Sequence, residues 1–164
     1  MFPDRLLPPD KLRVLAVEDD ECTRILLRHA LKDFCDPTVV GNEADALTAI
    51  EAHPFDVFLL DINLRAEDTA PLRPERSGVK LLREIRDRAR VGGAMSNDSM
   101  SSHPAGIHTD EVPVVAVTAY ALPGDREWLL EKGFSGYVGK PFTREELRDA
   151  VFEVLSASGP PANA

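Results

Sequence analysis

The chain lacks a disulfide framework, a long apolar run and any excess of positive charge. Its two cysteines, Cys22 and Cys35, have no metal-type spacing. Two are too few for a secreted scaffold, so a reducing, cytoplasmic setting is expected. No stretch approaches the roughly 18 to 20 apolar residues that span a bilayer. Prolines and acids interrupt residues 1–10, where a signal peptide would have a clean apolar segment, so no membrane partner is expected. The net charge of -9 argues against direct nucleic-acid binding, because phosphate contacts need a basic surface. No glycine-rich dinucleotide fingerprint follows the first apolar run, and Gly139-Lys140 lacks the spacing and the Ser or Thr of a phosphate-binding loop. His103 and His108 have no partnering Cys or carboxylate motif, which argues against a metal role for either.

What is present is an alternation of strand and helix signals. Four apolar runs end in polar groups: Leu12–Val17 in Glu18-Asp19-Asp20, Phe55–Leu60 in Asp61, Val112–Val117 in Thr118, and Tyr137–Gly139 in Lys140. A fifth, short run is Thr38–Val40, placed after the break at Asp36-Pro37. Between them lie helical patterns. Ile25, Leu26, Ala30 and Leu31 mark the first; Ala46, Leu47, Ala49 and Ile50 the second, capped by Asn42. Val79, Leu82, Ile85 and Ala89 mark the third, from about Gly78 to Arg90. Pro123-Gly124-Asp125 opens a fourth, stopped by Gly133, and Thr143-Arg144-Glu145-Glu146 is a capping box for the last. Parallel neighbours need crossover connections, usually helical, so the pattern predicts an α/β fold: a doubly wound five-stranded parallel sheet with five helices. One domain over 11–156 is expected, with tails at 1–10 and 157–164 and insertions at about 65–76 and 91–111.

Ligands of such sheets bind beyond the carboxyl ends of the strands, which is where all four polar termini fall. Glu18, Asp19 and Asp61 would then share one pocket, each like-charge pair costing roughly 4 kcal/mol at about 4 Å and an effective dielectric near 20. A hard cation removes that cost. Mg²⁺ suits, taking one or two carboxylates, waters and a carbonyl that Asn63 is placed to supply. Asp61 would be the nucleophile that attacks phosphorus, Lys140 the ammonium on the phosphoryl oxygens, and Thr118 a hydroxyl donor to them. Singly, each has an ordinary reading: Asp61 as a turn residue, Glu18 to Glu21 as an acidic first helical turn, Thr118 as a strand residue, Lys140 as a solvated charge. Trp128 reads equally as a half-buried packing residue or a partner anchor. It is the set, in this order and at strand ends, that points to phosphoryl chemistry.

The motifs VLAVEDDE, FDVFLLDINL, PVVAVTAYAL, GDREWLLEKG and GYVGKPF resemble those of the receiver domain of two-component response regulators, over about Leu12 to Leu155. The resemblance implies a flavodoxin-like, receiver-type fold. It makes Asp61 the phosphoacceptor, Glu18 and Asp19 the acidic metal-binding pair, Thr118 the switch hydroxyl, Lys140 the phosphate-contacting lysine and Tyr137 the aromatic that changes rotamer. It also implies a cis Lys140-Pro141 bond, and Asn63 and Tyr120 as positions that tune hydrolysis. The chain departs from the family where Leu64-Arg65 replaces the usual Met-Pro and where Gly78 follows only after the insertion.

The function expected is a single-domain response regulator, not an enzyme in the ordinary sense. It would take a phosphoryl group from a histidine kinase or histidine phosphotransfer protein and signal through a downstream protein target or onward transfer. An alternative is a degenerate receiver that binds partners independently of phosphorylation. An aspartyl-phosphate hydrolase is disfavoured, because Asn63 stands where such enzymes need a second acid.

Overall fold

Strands buried on both faces read as unbroken apolar runs rather than alternating ones, and the central strands of this protein do so. A computed structural model describes residues 12–64, 77–95, 112–119 and 124–157. The elements are β1 (Leu12–Val17), α1 (Glu21–Leu31), β2 (Cys35–Val40), α2 (Glu43–Ala52), β3 (Val57–Asp61), α3 (Ser77–Met95), β4 (Val114–Thr118), α4 (Asp125–Glu131), β5 (Gly136–Gly139) and α5 (Arg144–Ala157). All strand pairs are parallel, in the order β2-β1-β3-β4-β5. This is the doubly wound, flavodoxin-like arrangement the sequence predicts.

Side chains alternate across the sheet. Leu15, Val17, Phe58, Leu60, Val114 and Ala116 pack on one side with Ala46, Val79, Leu82, Ile85 and Leu129 from α2, α3 and α4. Val14, Ala16, Val57, Leu59, Val115 and Val117 pack on the other with Leu27 and Leu31 of α1 and Leu147, Val151 and Val154 of α5. The chain runs from β1 outward to β2 and then back across to β3, so order reverses between β1 and β3. That crevice is where ligands of open α/β sheets bind.

Helix ends follow the capping chemistry. The Asn42 side chain accepts from Asp45 N–H at 2.8 Å. In the Thr143 box, the Thr143 N–H donates to Glu146 Oε2 at 2.8 Å and the Glu146 N–H to Thr143 Oγ1 at 3.1 Å. Lys140-Pro141 is cis. Trp128 is half-buried against the α2–α4 layer, with Lys132 Nζ 5.8 Å from its ring centroid.

Three local expectations are corrected. Strand β2 starts at Cys35 and includes Pro37, because it is an edge strand, where a missing N–H is tolerated. The buried stripe of α1 is Leu27 and Leu31; Ile25 and Leu26 are 47% and 60% exposed. Helix α3 continues to Met95, past the expected end at Arg90 and through Gly92-Gly93: an established helix adds one hydrogen bond per residue, without a new nucleation cost. Tyr120, residues 65–76 and 96–111, and both tails lie outside the described residues.

The two cysteines differ. Cys22 is exposed in the first turn of α1. Cys35 is buried at the start of β2, and burial, with Asp56 nearby, pushes its thiol up to about 12.

Candidate functional site

Strand β1 ends at Val17, but the Glu18 N–H still donates to Val40 O of β2 at 3.0 Å. This last ladder-like bond holds the Glu18 backbone at the sheet edge. The acid run then divides. Asp20 is the N-cap of α1, its side chain accepting from Thr23 N–H at 2.8 Å and Thr23 Oγ1 at 2.9 Å. Glu21 supplies the acidic first turn, which the helix dipole favours. Glu18 and Asp19 instead face the crevice: with Asp61 they each bring a carboxylate oxygen within 4.8 Å of the others. The ordinary reading therefore holds for the second half of the run and fails for the first.

Glu18 is 1% and Asp61 3% exposed. Asp61 ends β3 and pairs with Val117. One of its oxygens accepts the Asn63 N–H at 3.0 Å and the other Lys140 Nζ at 3.2 Å. Lys140 also stands 2.5 Å from Glu18 Oε2. Burial lowers the Lys140 pKa, but the Glu18 hydrogen bond and the charge of Asp61 outweigh it, and the net direction is upward. Burial raises the Glu18 pKa, offset in part by Lys140 and by the Asp20 N–H, which donates to its Oε1 at 3.1 Å.

Thr118 closes β4, one register position beyond the partner of Asp61, and is 1% exposed. Its carbonyl accepts the Lys140 N–H at 2.7 Å, fixing the lysine backbone beside it. Asn63 is exposed next to Asp61. Tyr137 points away from this cluster: it is 39% exposed and lines a groove of about 70 Å³ with Arg126, Leu130 and Glu153 between α4, β5 and α5.

The donor set fits a hard divalent cation of the Mg²⁺ type, which takes oxygen ligands. Glu18, Asp19 and Asp61 each bring a carboxylate oxygen within 4.8 Å of the others, a set of hard donors beside the Lys140 ammonium that a dication would neutralise. Cation and ammonium together would flank Asp61 with positive charge, as attack on an anionic phosphoryl group requires.

Sequence reasoning missed Arg24. Its Nη1 donates to the backbone carbonyls of Glu18 at 3.1 Å and Asp19 at 2.7 Å. A bond from a helix side chain to main-chain oxygens leaves no residue-type pattern to find. Gly78, which follows the insertion, carries a packing constraint that its residue type alone does not show. A Cβ there would lie 2.2 Å from Asp61 O.

The chain is similar to known proteins of one family. A family model for the response regulator receiver domain matches residues 14–152. Sensor histidine kinase GacS of Pseudomonas protegens is 25% identical over 152 residues, which cover 92% of this chain and 14% of GacS; the chain thus spans a small part of that relative. A 14.6 kDa protein from the sodA1 3′ region of Leptolyngbya boryana is 29% identical, with 93% of this chain and 96% of that protein covered. Among solved structures, the receiver domain of sensor histidine kinase PA1611 from Pseudomonas aeruginosa PAO1 holds a magnesium ion in its active-site cleft. It is 28% identical, with a TM-score of 0.62 over 89% of this chain and 98% of that one.

Proposed function

The chain belongs to the response regulator receiver domain family, and from that premise we propose that it accepts a phosphoryl group on Asp61 from a histidine kinase or histidine phosphotransfer protein. Transfer forms the O–P bond of an acyl phosphate at an Asp61 carboxylate oxygen and breaks the N–P bond of the donor phosphohistidine. The observation that carries this is the double contact of Lys140, 3.2 Å from Asp61 Oδ2 and 2.5 Å from Glu18 Oε2. It holds a fixed cation against the acceptor oxygen in a buried, acid-lined crevice.

Glu18, Asp19, Asp61 and the Asn63 carbonyl would hold Mg²⁺, which when bound neutralises charge on the phosphoryl oxygens. Lys140 neutralises what remains and holds Asp61 oriented. Thr118 moves toward the phosphoryl group to donate its hydroxyl, and Tyr137 turns inward from the α4–β5–α5 groove. The new charge thereby shifts a two-state equilibrium at that face and alters partner affinity. Action as a single-domain regulator is favoured by the match to the Leptolyngbya protein, 96% of which is covered. Among the described residues no helix is long and apolar enough to cross a membrane.

Incubation with acetyl phosphate and Mg²⁺ should add the mass of one phosphoryl group to the wild type and none to Asp61→Asn. Uptake retained by Asp61→Asn would overturn the assignment. No uptake by the wild type would favour a phosphorylation-independent binding module, the reading that the Leu64-Arg65 departure supports. The same assay reads the hydrolysis-tuning positions. By the family resemblance Tyr120 is a hydrolysis-tuning position whose bulk slows hydrolysis, so Tyr120→Ala should shorten the phosphoryl lifetime; equal lifetimes would remove that role.

A further inference from the structure

We propose that Arg24 is a positioning residue for the cation site, holding the Glu18-Asp19 turn in the conformation that aims both carboxylates at Asp61. The inference rests on reading that crevice as the Mg²⁺-dependent phosphoacceptor site, and deepens it.

Between Val17 and Glu21 the chain leaves the sheet and enters α1. The Glu18 N–H is held by Val40 O and the Asp20 side chain caps the helix, but the carbonyls of Glu18 and Asp19 lie past the β1–β2 ladder, which ends at Val17↔Val40. The two hydrogens of Arg24 Nη1 reach both carbonyls. The peptide planes on either side of Asp19 are thereby fixed, and with them the directions of the two acidic side chains. Gly41 makes room for this. A Cβ at Gly41 would stand 3.0 Å from Arg24 Nη1 and 3.3 Å from its Cζ, so the guanidinium lies over a bare backbone at the β2–α2 turn. The group is also the right one chemically: planar, always charged and a donor only.

The sign of the effect separates positioning from charge. Arg24 carries a positive charge near a site for a dication, so by Coulomb's law alone its removal should tighten Mg²⁺ binding. Loss of positioning should weaken it, by about 10-fold or more, as for other residues that orient metal ligands. Calorimetric Mg²⁺ titration of Arg24→Gln is therefore expected to give at least a 10-fold higher Kd. Arg24→Lys should fall between it and the wild type. Gly41→Ala, which displaces the guanidinium without changing charge, should weaken binding in the same direction. Leu31→Val, a core change on the same helix, controls for lost stability and should leave Kd unmoved. An Arg24→Gln Kd equal to or tighter than wild type would overturn the inference; so would an unchanged Gly41→Ala Kd should Arg24→Gln fail to fold. Wild-type protein that takes up no Mg²⁺ would overturn the underlying site as well, which distinguishes the two failures.

Discussion

Gly78→Ala should destabilise the protein by about 3 kcal/mol or more, at the upper end of what overpacking costs, and should slow phosphoryl uptake as well. The added Cβ would lie 2.2 Å from Asp61 O, 2.9 Å from Ile62 Cα and 3.0 Å from Asp61 C. All three are backbone atoms, so no side chain can swing aside. Either the N-terminus of α3 backs away or the Asp61 peptide moves. The first draws Val79, Leu82 and Ile85 out of the core layer they share with β3 and breaks the 3.1 Å bond from Gly78 N–H to Ile62 O. The second shifts the Asp61 carboxylate relative to Lys140. Urea unfolding reads one consequence and the rate of acetyl phosphate uptake the other. Ser77→Ala is the control: it removes only the hydrogen bond from Ser77 Oγ to Leu64 O and should cost about 1 kcal/mol. A Gly78→Ala variant no less stable than Ser77→Ala would contradict the packing argument.

Lys140→Met should cost about 3–5 kcal/mol at neutral pH, the range for removing one partner of a buried ion pair, and should steepen the fall of stability with rising pH above the ordinary carboxylate range. In the wild type the raised Lys140 pKa means that its contribution is complete below the unfolded value of 10.5 and lost as pH rises through the higher folded value. Without the ammonium, Glu18 keeps its burial and the repulsion of Asp61, both of which raise its pKa, and loses the main influence lowering it. The folded carboxyl, which already binds a proton more tightly than the unfolded one in the wild type, then does so more strongly. The Glu18 contribution to stability should be greatest below 4.5 and decline as pH rises above that value, because the unfolded chain releases its proton first. Protonation of Glu18 limits the cost, so the loss at neutral pH should shrink on acidification. Adding Glu18→Gln in the Lys140→Met background should remove most of the slope. Denaturation curves taken across the acid-to-neutral range check this; a slope for Lys140→Met no steeper than that of the wild type would show that Lys140 does not hold the Glu18 pKa down.

How far the sequence reveals this protein depends on which atoms do the work. The central strands were legible because burial on both faces leaves unbroken apolar runs, and their polar ends marked the crevice. Edge strand β2 was read short because Pro37 looks like a breaker until the strand is known to lie outermost. The α1 stripe was misjudged because Ile25 and Leu26 have the right spacing for a core face, and only the sheet decides which side of a helix is covered. In Glu18 to Glu21 identical chemistry serves two ends, a helix cap and a ligand set, and residue type cannot divide them. Arg24 and Gly78 act on main-chain oxygens, which every residue has. Neither role is visible before the backbone is folded.

Strand β2 bears on a different hazard. Successive residues of a strand turn their main-chain groups to opposite sides, and Val40 O faces inward to Glu18 N–H. Pro37 and Val39 therefore face the outer rim. There Pro37 has no hydrogen to offer, and the Val39 carbonyl is already taken by Arg28 Nη2 at 3.0 Å. A stray extended segment from another molecule finds one donor missing and one acceptor taken along this margin. The sheet is thus guarded against edge-to-edge aggregation on the β2 side by one imino acid and one arginine.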